Sequence, residues 1–136
     1  MIAVHEHADA ADPLKQCVRE LPGVRYIDSP IMRFRDSDTS ASVDDTLYYL
    51  NDAGFNVTAL VDASSGAVVE RYRYTPYGER TVLDGNTGGQ TDWANDADGV
   101  SDVDNQRGFQ GLAFDPLTGL VDQRTRPWHT TLGRFM

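Results

Sequence analysis

Four aspartates gather in the stretch DADGVSDVD, and they are the strongest candidates for metal chemistry in the chain. The four carboxylates belong to Asp96, Asp98, Asp102 and Asp104. Hard oxygen ligands spaced two residues apart around a glycine suit Ca²⁺. An EF-hand register fails, because Ala94 would be its first ligand and Asn105 its last. A solvated acidic loop is the competing interpretation, so calcium binding through residues 96–104 is an alternative hypothesis.

Histidine and cysteine provide no convincing second site. His5 and His7 stand near Glu6 and Asp9, but two histidines at i and i+2 in a terminal segment make a poor metal site. The single cysteine, Cys17, cannot form an internal disulfide or a thiolate cluster. No histidine and aspartate set in the sequence stands out as a means of activating its thiol.

Other polar residues are interpreted as solvated or structural. A second group of aspartates falls in a polar segment and comprises Asp36, Asp38, Asp44 and Asp45. This setting favours loop solvation over an acid–base pair. His129 follows Trp128 in a turn region, without a recognisable nucleophile nearby. The sequence therefore predicts no catalytic, cofactor-binding or metal-binding residue, and we interpret the chain as non-enzymatic.

Composition restricts the kind of partner. The chain has 136 residues, enough for one domain with a modest core. Its formal net charge is −9, which repels phosphate backbones and disfavours nucleic-acid binding. No window has the apolar length of a transmembrane helix, and charged residues stand where a secretory apolar region would be. We therefore expect no membrane insertion and no signal peptide in this chain.

Short strands between turn signals are the elements that would position these residues. The runs TLYYL, FNVTALVD, AVVERYRY and ERTVL have strand character, and NDAG, DASSG and TPYG separate them. Turn residues roughly every 8 to 12 positions indicate an all-β fold. On the second of these strands, the predicted inner face carries Phe55, Val57, Ala59 and Val61.

The segments before these strands are less regular. Residues 13–21 are predicted to form a short helix with Asp12 as its N-cap. Residues 24–34 are predicted as a strand interrupted at Pro30, because proline cannot donate to a ladder. Residues 35–46 are predicted as a polar loop.

The segments after these strands divide into two parts. Residues 84–107 are rich in Asp, Asn and Gly and are predicted to form a long acidic loop. Residues 108–136 return to a composition of strands and turns, with the turn signals DPLTG and TTLG.

The chain also contains an internal repeat. A shift of 24 residues places Tyr48 on Tyr72 and Gly54 on Gly78, as a strand, a glycine turn and a second strand. A single hairpin of this kind is marginally stable in water, so it must stack on neighbours to bury its aromatic residues.

These motifs resemble a known family. YRYTPYGE is similar to the Y-x-Y-D-x-x-G unit of tyrosine–aspartate (YD) repeats, with Thr75 in place of the usual aspartate. The stretch GFQGLAFDPLTGLVDQRTRPWHTTLGRF resembles the core associated with rearrangement hotspot (RHS) repeats. Its matching positions are Asp115, Thr118, Gly119, Leu120, Arg124, Arg126, Gly133, Arg134 and Phe135. The resemblance covers about residues 23–136.

The resemblance implies a structural role in a bacterial RHS/YD-repeat protein. Such repeats wind into a β shell that encapsulates or presents a C-terminal cargo, often a toxin of a polymorphic toxin system. Expected partners are further repeats and a cargo domain, in a secreted or cell-surface setting. The expected organisation is an unassigned segment over 1–22, YD-like hairpins over 23–83, the acidic loop over 84–107 and a truncated core over 108–136.

The resulting expectation is an all-β fold of antiparallel YD-repeat hairpins, with a poorly structured or short helical N-terminus. Two further alternatives remain open beside calcium binding. One is a self-cleaving remnant, for which Asp115 before Pro116 is the candidate, although Asp-Pro commonly opens a turn. The other is a gene fragment without independent function, suggested because the family usually has tyrosines where this chain has Val121, Asp122 and Pro127.

Overall fold

The computed structural model describes residues 17–25, 28–36, 43–85, 96 and 98–136. These residues form two antiparallel sheets, one of six strands and one of four. Within these described ranges the only helical element is a 3-10 turn at Phe109–Gly111. The all-β prediction is therefore confirmed.

The first sheet is a meander in which every strand pairs with its neighbours in sequence. Its strands are β1 (Cys17–Pro22), β2 (Pro30–Asp36), β3 (Asp45–Asn51), β4 (Val57–Asp62), β5 (Val68–Tyr74) and β6 (Arg80–Asp84). The last four coincide with the four strands predicted from alternation and turn residues. Two register shifts interrupt their ladders, between Leu50 and Asn51 and between Leu60 and Val61.

The predicted helix over residues 13–21 is wrong where the structure describes it. Residues 17–21 belong to β1, and Val18 and Leu21 pair with Arg35 and Met32 of β2. The tertiary pairing with β2 outweighs the weak local helix signal. The proposed N-cap Asp12 lies outside the described residues.

Pro30 begins a strand instead of interrupting one. Its position at the first residue of β2 is compatible with its missing N–H group. Before it, the backbone N–H of Gly23 donates to the Ser29 carbonyl at 2.6 Å and closes the connection from β1. The predicted loop over residues 35–46 is shorter than expected, because β2 extends to Asp36 and β3 begins at Asp45.

The core lies on one face of the six-stranded sheet, which we call the covered face. Alternation on β3 buries Leu47 and Tyr49 there, while Tyr48 on the opposite face is 42% exposed. The apolar cluster comprises Leu47, Tyr49, Val57, Leu60, Tyr72, Val82 and Val103. The prediction for β4 is only partly correct, since Leu60 is fully buried and Phe55 lies outside the strand.

The second sheet is built from the C-terminal residues. Its strands are β7 (Phe114–Asp115), β8 (Leu120–Gln123), β9 (Arg126–His129) and β10 (Arg134–Phe135). It is joined to the first sheet by the Trp128 indole, which donates to the Tyr77 carbonyl at 2.8 Å. An ion pair between Arg124 and Asp28 at 2.7 Å adds a second link.

Two hairpins of the first sheet correspond residue by residue at an offset of 23, instead of the predicted 24. In the first hairpin, the Asp52 N–H donates to the Asn56 carbonyl and the Phe55 N–H donates to the Asp52 carbonyl. In the second hairpin, the Thr75 N–H donates to the Glu79 carbonyl and the Gly78 N–H donates to the Thr75 carbonyl. Phe55 and Gly78 both take positive φ, at 62° and 92°. A 24-residue shift would equate residues on opposite faces, whereas an offset of 23 aligns Tyr49 with Tyr72, both of which are buried.

Candidate functional site

The most elaborate polar arrangement lies where residues 101–107 cross the covered face. We call these residues the covering segment. Val103 is buried in the apolar cluster on this face. The segment contains no strand apart from an isolated bridge between Arg107 and Ala113, and side chains of the sheet satisfy several of its backbone groups.

Glu70 of β5 anchors the start of the covering segment. Glu70 is 3% exposed, and its carboxylate accepts from the backbone N–H groups of Asp102 and Val103. The hydroxyls of Ser101 and Tyr72 donate to its second oxygen. Four donors on one buried carboxylate offset much of the cost of removing its charge from water.

Tyr72 and Arg80 bind the middle of the segment. Burial and the neighbouring Glu70 carboxylate raise the pKa of the Tyr72 phenol, which keeps it protonated as a donor. Arg80 donates to the Asn105 carbonyl at 2.8 Å and stacks over the rings of Tyr72 and Phe114. The Asn105 side chain bonds both backbone groups of Arg107 and holds the segment in a turn.

Glu20 of β1 binds the end of the segment. It accepts from the Tyr49 hydroxyl at 2.7 Å and from Arg107 Nε at 2.9 Å. A second Arg107 nitrogen also lies 2.9 Å from the same carboxylate. Burial and then the Glu20 charge raise the pKa of Tyr49, so the phenol remains a donor.

Arg33 of β2 is the exception in this network. Its guanidinium donates to the Val103 carbonyl at 2.7 Å, and its Nε has no hydrogen-bond partner among the described residues. The side chain lines a small pocket between β1, β2 and the covering segment, together with Glu20 and Arg107.

Two of the four aspartates proposed as calcium ligands form a local turn, and the other two, Asp102 and Asp104, are exposed in the covering segment. Asp96 accepts from the backbone N–H groups of Asp98 and Gly99, and Asp98 accepts from Val100. These bonds close a local turn at the surface. Among the described residues, no group of three His, Cys, Asp or Glu side chains is arranged to hold a metal ion. The calcium hypothesis therefore gains no support from the geometry.

Asp115 is placed as a turn residue. Its carboxylate accepts from the Leu117 N–H at 3.0 Å and from the Thr118 hydroxyl at 2.7 Å. The hydroxyl and then the backbone N–H groups lower its pKa. Asp62 forms an equivalent turn with Ser64 and Ser65. Asp115 is exposed and Asp62 is half-buried, and the turn bonds explain the presence of both carboxylates without catalysis.

The remaining candidates are dispersed. Asp45 forms an ion pair with Arg35 on the neighbouring strand, and His129 Nδ1 accepts from the Leu132 N–H at 3.2 Å. Cys17 begins β1 opposite Asp36. Five candidates lie outside the described residues, namely His5, Glu6, His7, Asp9 and Asp38.

Sequence patterns do not single out the residues that build the network. Arg33, Glu70 and Glu20 lie on strands, where charged residues are interpreted as a polar face. Their contacts with the covering segment join residues that are 31 to 87 positions apart, and no local pattern reports such contacts. One signal is available in the sequence. Glu70 and Tyr72 lie two residues apart and therefore on the same face of a strand. A carboxylate that shares a face with a buried tyrosine is itself expected to be buried and to require hydrogen-bond donors.

Comparisons with known proteins add no assignment. Neither a scan against protein families nor a search of curated proteins finds a match to this chain. Within the described ranges, no helix has the length and apolar character that crossing a bilayer requires.

Proposed function

We propose that this chain is a non-catalytic structural segment of an RHS/YD-repeat β shell, which encloses or presents a cargo domain. The observation that carries the proposal is the correspondence of two successive hairpins at an offset of 23 residues. A repeated unit with the same turn bonds and the same buried tyrosine is the local requirement of a repeat architecture.

The turn chemistry supports this proposal. In the first hairpin the Asp52 carboxylate accepts from Asn56 N–H at 3.0 Å. In the second, the Thr75 hydroxyl accepts from Glu79 N–H at 3.1 Å. Asp52 and Thr75 are equivalent positions, so the threonine that replaces the family's aspartate performs the same capping bond.

The roles of the polar residues also favour a structural function. Glu70 binds backbone N–H groups and hydroxyls, Glu20 binds a hydroxyl and the Arg107 side chain, and the aspartates of the turns cap N–H groups. These bonds stabilise a segment of chain against the sheet. Such an arrangement suits a segment of a β shell, which must remain folded while it contacts further repeats and a cargo domain.

A chimera tests the proposal. Residues 17–136 would replace the matching segment in a protein with a closed RHS-repeat shell, and the cargo would then be exposed to trypsin. We expect the cargo to remain protected and electron microscopy to show a closed particle. A chimera with Gly78→Val, which disrupts the second hairpin, serves as the control. Digestion of the cargo in a chimera that is itself folded would contradict the proposal.

A further inference from the structure

We propose that the pocket between β1, β2 and the covering segment binds one small monovalent anion of the halide class, held by Arg33. Arg33 is 1% exposed, and an arginine side chain carries its positive charge at any ordinary pH. Among the described residues, the Arg33 side chain forms one hydrogen bond, to the Val103 carbonyl, and its Nε has no partner. A buried cation with an unused N–H donor requires a counter-charge.

None of the described carboxylates around the pocket forms an ion pair with Arg33. Glu20 is closest in register, directly opposite Arg33 on β1, but its carboxylate pairs with Arg107 at 2.9 Å and accepts from Tyr49. Asp104 also lines the pocket but is exposed to solvent, which screens its charge. In the described part of the chain, no carboxylate lies within ion-pair distance of Arg33.

Glu70 does not fill this role either. It binds the N–H groups of Asp102 and Val103, while Arg33 binds the carbonyl of Val103. The Glu70 carboxylate therefore binds N–H groups of this backbone and the Arg33 guanidinium binds a carbonyl, and the two side chains form no ion pair with each other. An anion beside Arg33 would accept the hydrogen bond that its Nε does not otherwise make and would balance its positive charge.

The pocket has room for a small anion. Its volume is about 40 Å³, and a single water-sized sphere needs roughly 10–15 Å³ of a cavity volume of this kind. A monatomic anion therefore fits beside Arg33. Gln106 also lines the pocket, and an amide side chain can donate hydrogen bonds to an anion.

Thermal unfolding of the full chain tests the proposal. Chloride or bromide would replace the bulky anion gluconate at constant ionic strength. At ten times the dissociation constant, we expect the unfolding midpoint to rise by roughly 4–6 °C. Arg33→Met should abolish this rise. Arg73→Met, which removes an exposed arginine, should retain it. Equal midpoints in gluconate and halide would overturn the proposal, as would a response that persists in Arg33→Met.

A second measurement serves if Arg33→Met fails to fold. Crystals of the unchanged chain would be grown in bromide and measured at the bromine absorption edge. An anomalous peak within hydrogen-bond distance of Arg33 Nε supports the proposal. A pocket that holds only water, or bromide found elsewhere on the surface as an adventitious ion only, would refute it.

Discussion

The ring of Phe109 lies directly against Gly78, so that a β-carbon on residue 78 would stand 2.5 Å from the Phe109 ring. Gly78 closes the turn between β5 and β6 with φ of 92°. Phe109 begins the 3-10 turn that leads to the second sheet and also lies beside Tyr74. The glycine thus meets two requirements at once, a left-handed backbone and a close approach between the two sheets.

We expect Gly78→Ala to lower the free energy of unfolding by about 2–4 kcal/mol, because backbone strain and overpacking both apply. Gly66→Ala is the matched control. Gly66 also has positive φ, at 72°, but a β-carbon at this residue would have no atom within 4 Å, so only strain of about 1 kcal/mol applies. Urea unfolding measures the loss of stability in each of the two variants. Equal losses would show that Phe109 does not contact residue 78 in solution.

Glu70→Gln tests the anchor of the covering segment. The substitution removes the negative charge that accepts from two backbone N–H groups and two hydroxyls. We expect a loss of about 2–3 kcal/mol and faster hydrogen exchange at the amides of Asp102 and Val103. Glu79→Gln, at an exposed position, should change stability by less than about 0.5 kcal/mol. Unchanged exchange at both amides in Glu70→Gln would contradict this role.

The Asp62 turn should make stability depend on pH in the acid range. Hydrogen bonds from Ser65 and Ser64 lower the Asp62 pKa from 3.8 to about 2. Because the folded-state pKa is below the unfolded value, the stabilisation is present above pH 3.8 and is lost as the pH falls through about 2. Asp62→Asn should therefore melt below the unchanged chain at neutral pH, and the difference should close in strong acid.

Carboxyl-carbon NMR provides the direct check of this turn. In the unchanged chain the Asp62 resonance should titrate well below its ordinary value. Ser65→Ala removes a donor to the carboxylate, so the Asp62 pKa should move upward. A titration midpoint that is ordinary in the unchanged chain and insensitive to Ser65→Ala would show that the turn is open in solution.

The sequence predicts the hairpins well because their determinants are local. Alternation places β3 to β6, and the turn at Asp115 follows from a short dipeptide signal. The predicted repeat offset is wrong by one residue because it aligns Gly54 with Gly78. The structure instead assigns positive φ to Phe55, and a bulky residue in that conformation is not expected from composition.

The candidate site could not be predicted because its determinants are distant. Arg33 and Val103 are 70 residues apart, and Glu20 and Arg107 are 87 apart. A charged residue in a strand ordinarily indicates a solvated face. Here the covering segment returns to that face and buries the charges, so only the tertiary arrangement distinguishes an anchor from a surface residue.

The equivalence of Asp52 and Thr75 gives a test of the repeat unit itself. Thr75→Val keeps the shape of the side chain but removes the oxygen that accepts from Glu79 N–H, so we expect a loss of about 1 kcal/mol in urea unfolding. Thr75→Asp installs the side chain that Asp52 uses in the first hairpin, and it should be as stable as the unchanged chain or more so. Asp52→Val is the same substitution in the first hairpin. It should lower the free energy of unfolding more than Thr75→Val does, because the Asp52 carboxylate accepts from the backbone N–H groups of both Gly54 and Asn56. If Thr75→Asp proved as damaging as Thr75→Val, the two turns would not be interchangeable, and the main support for a repeat architecture would be lost.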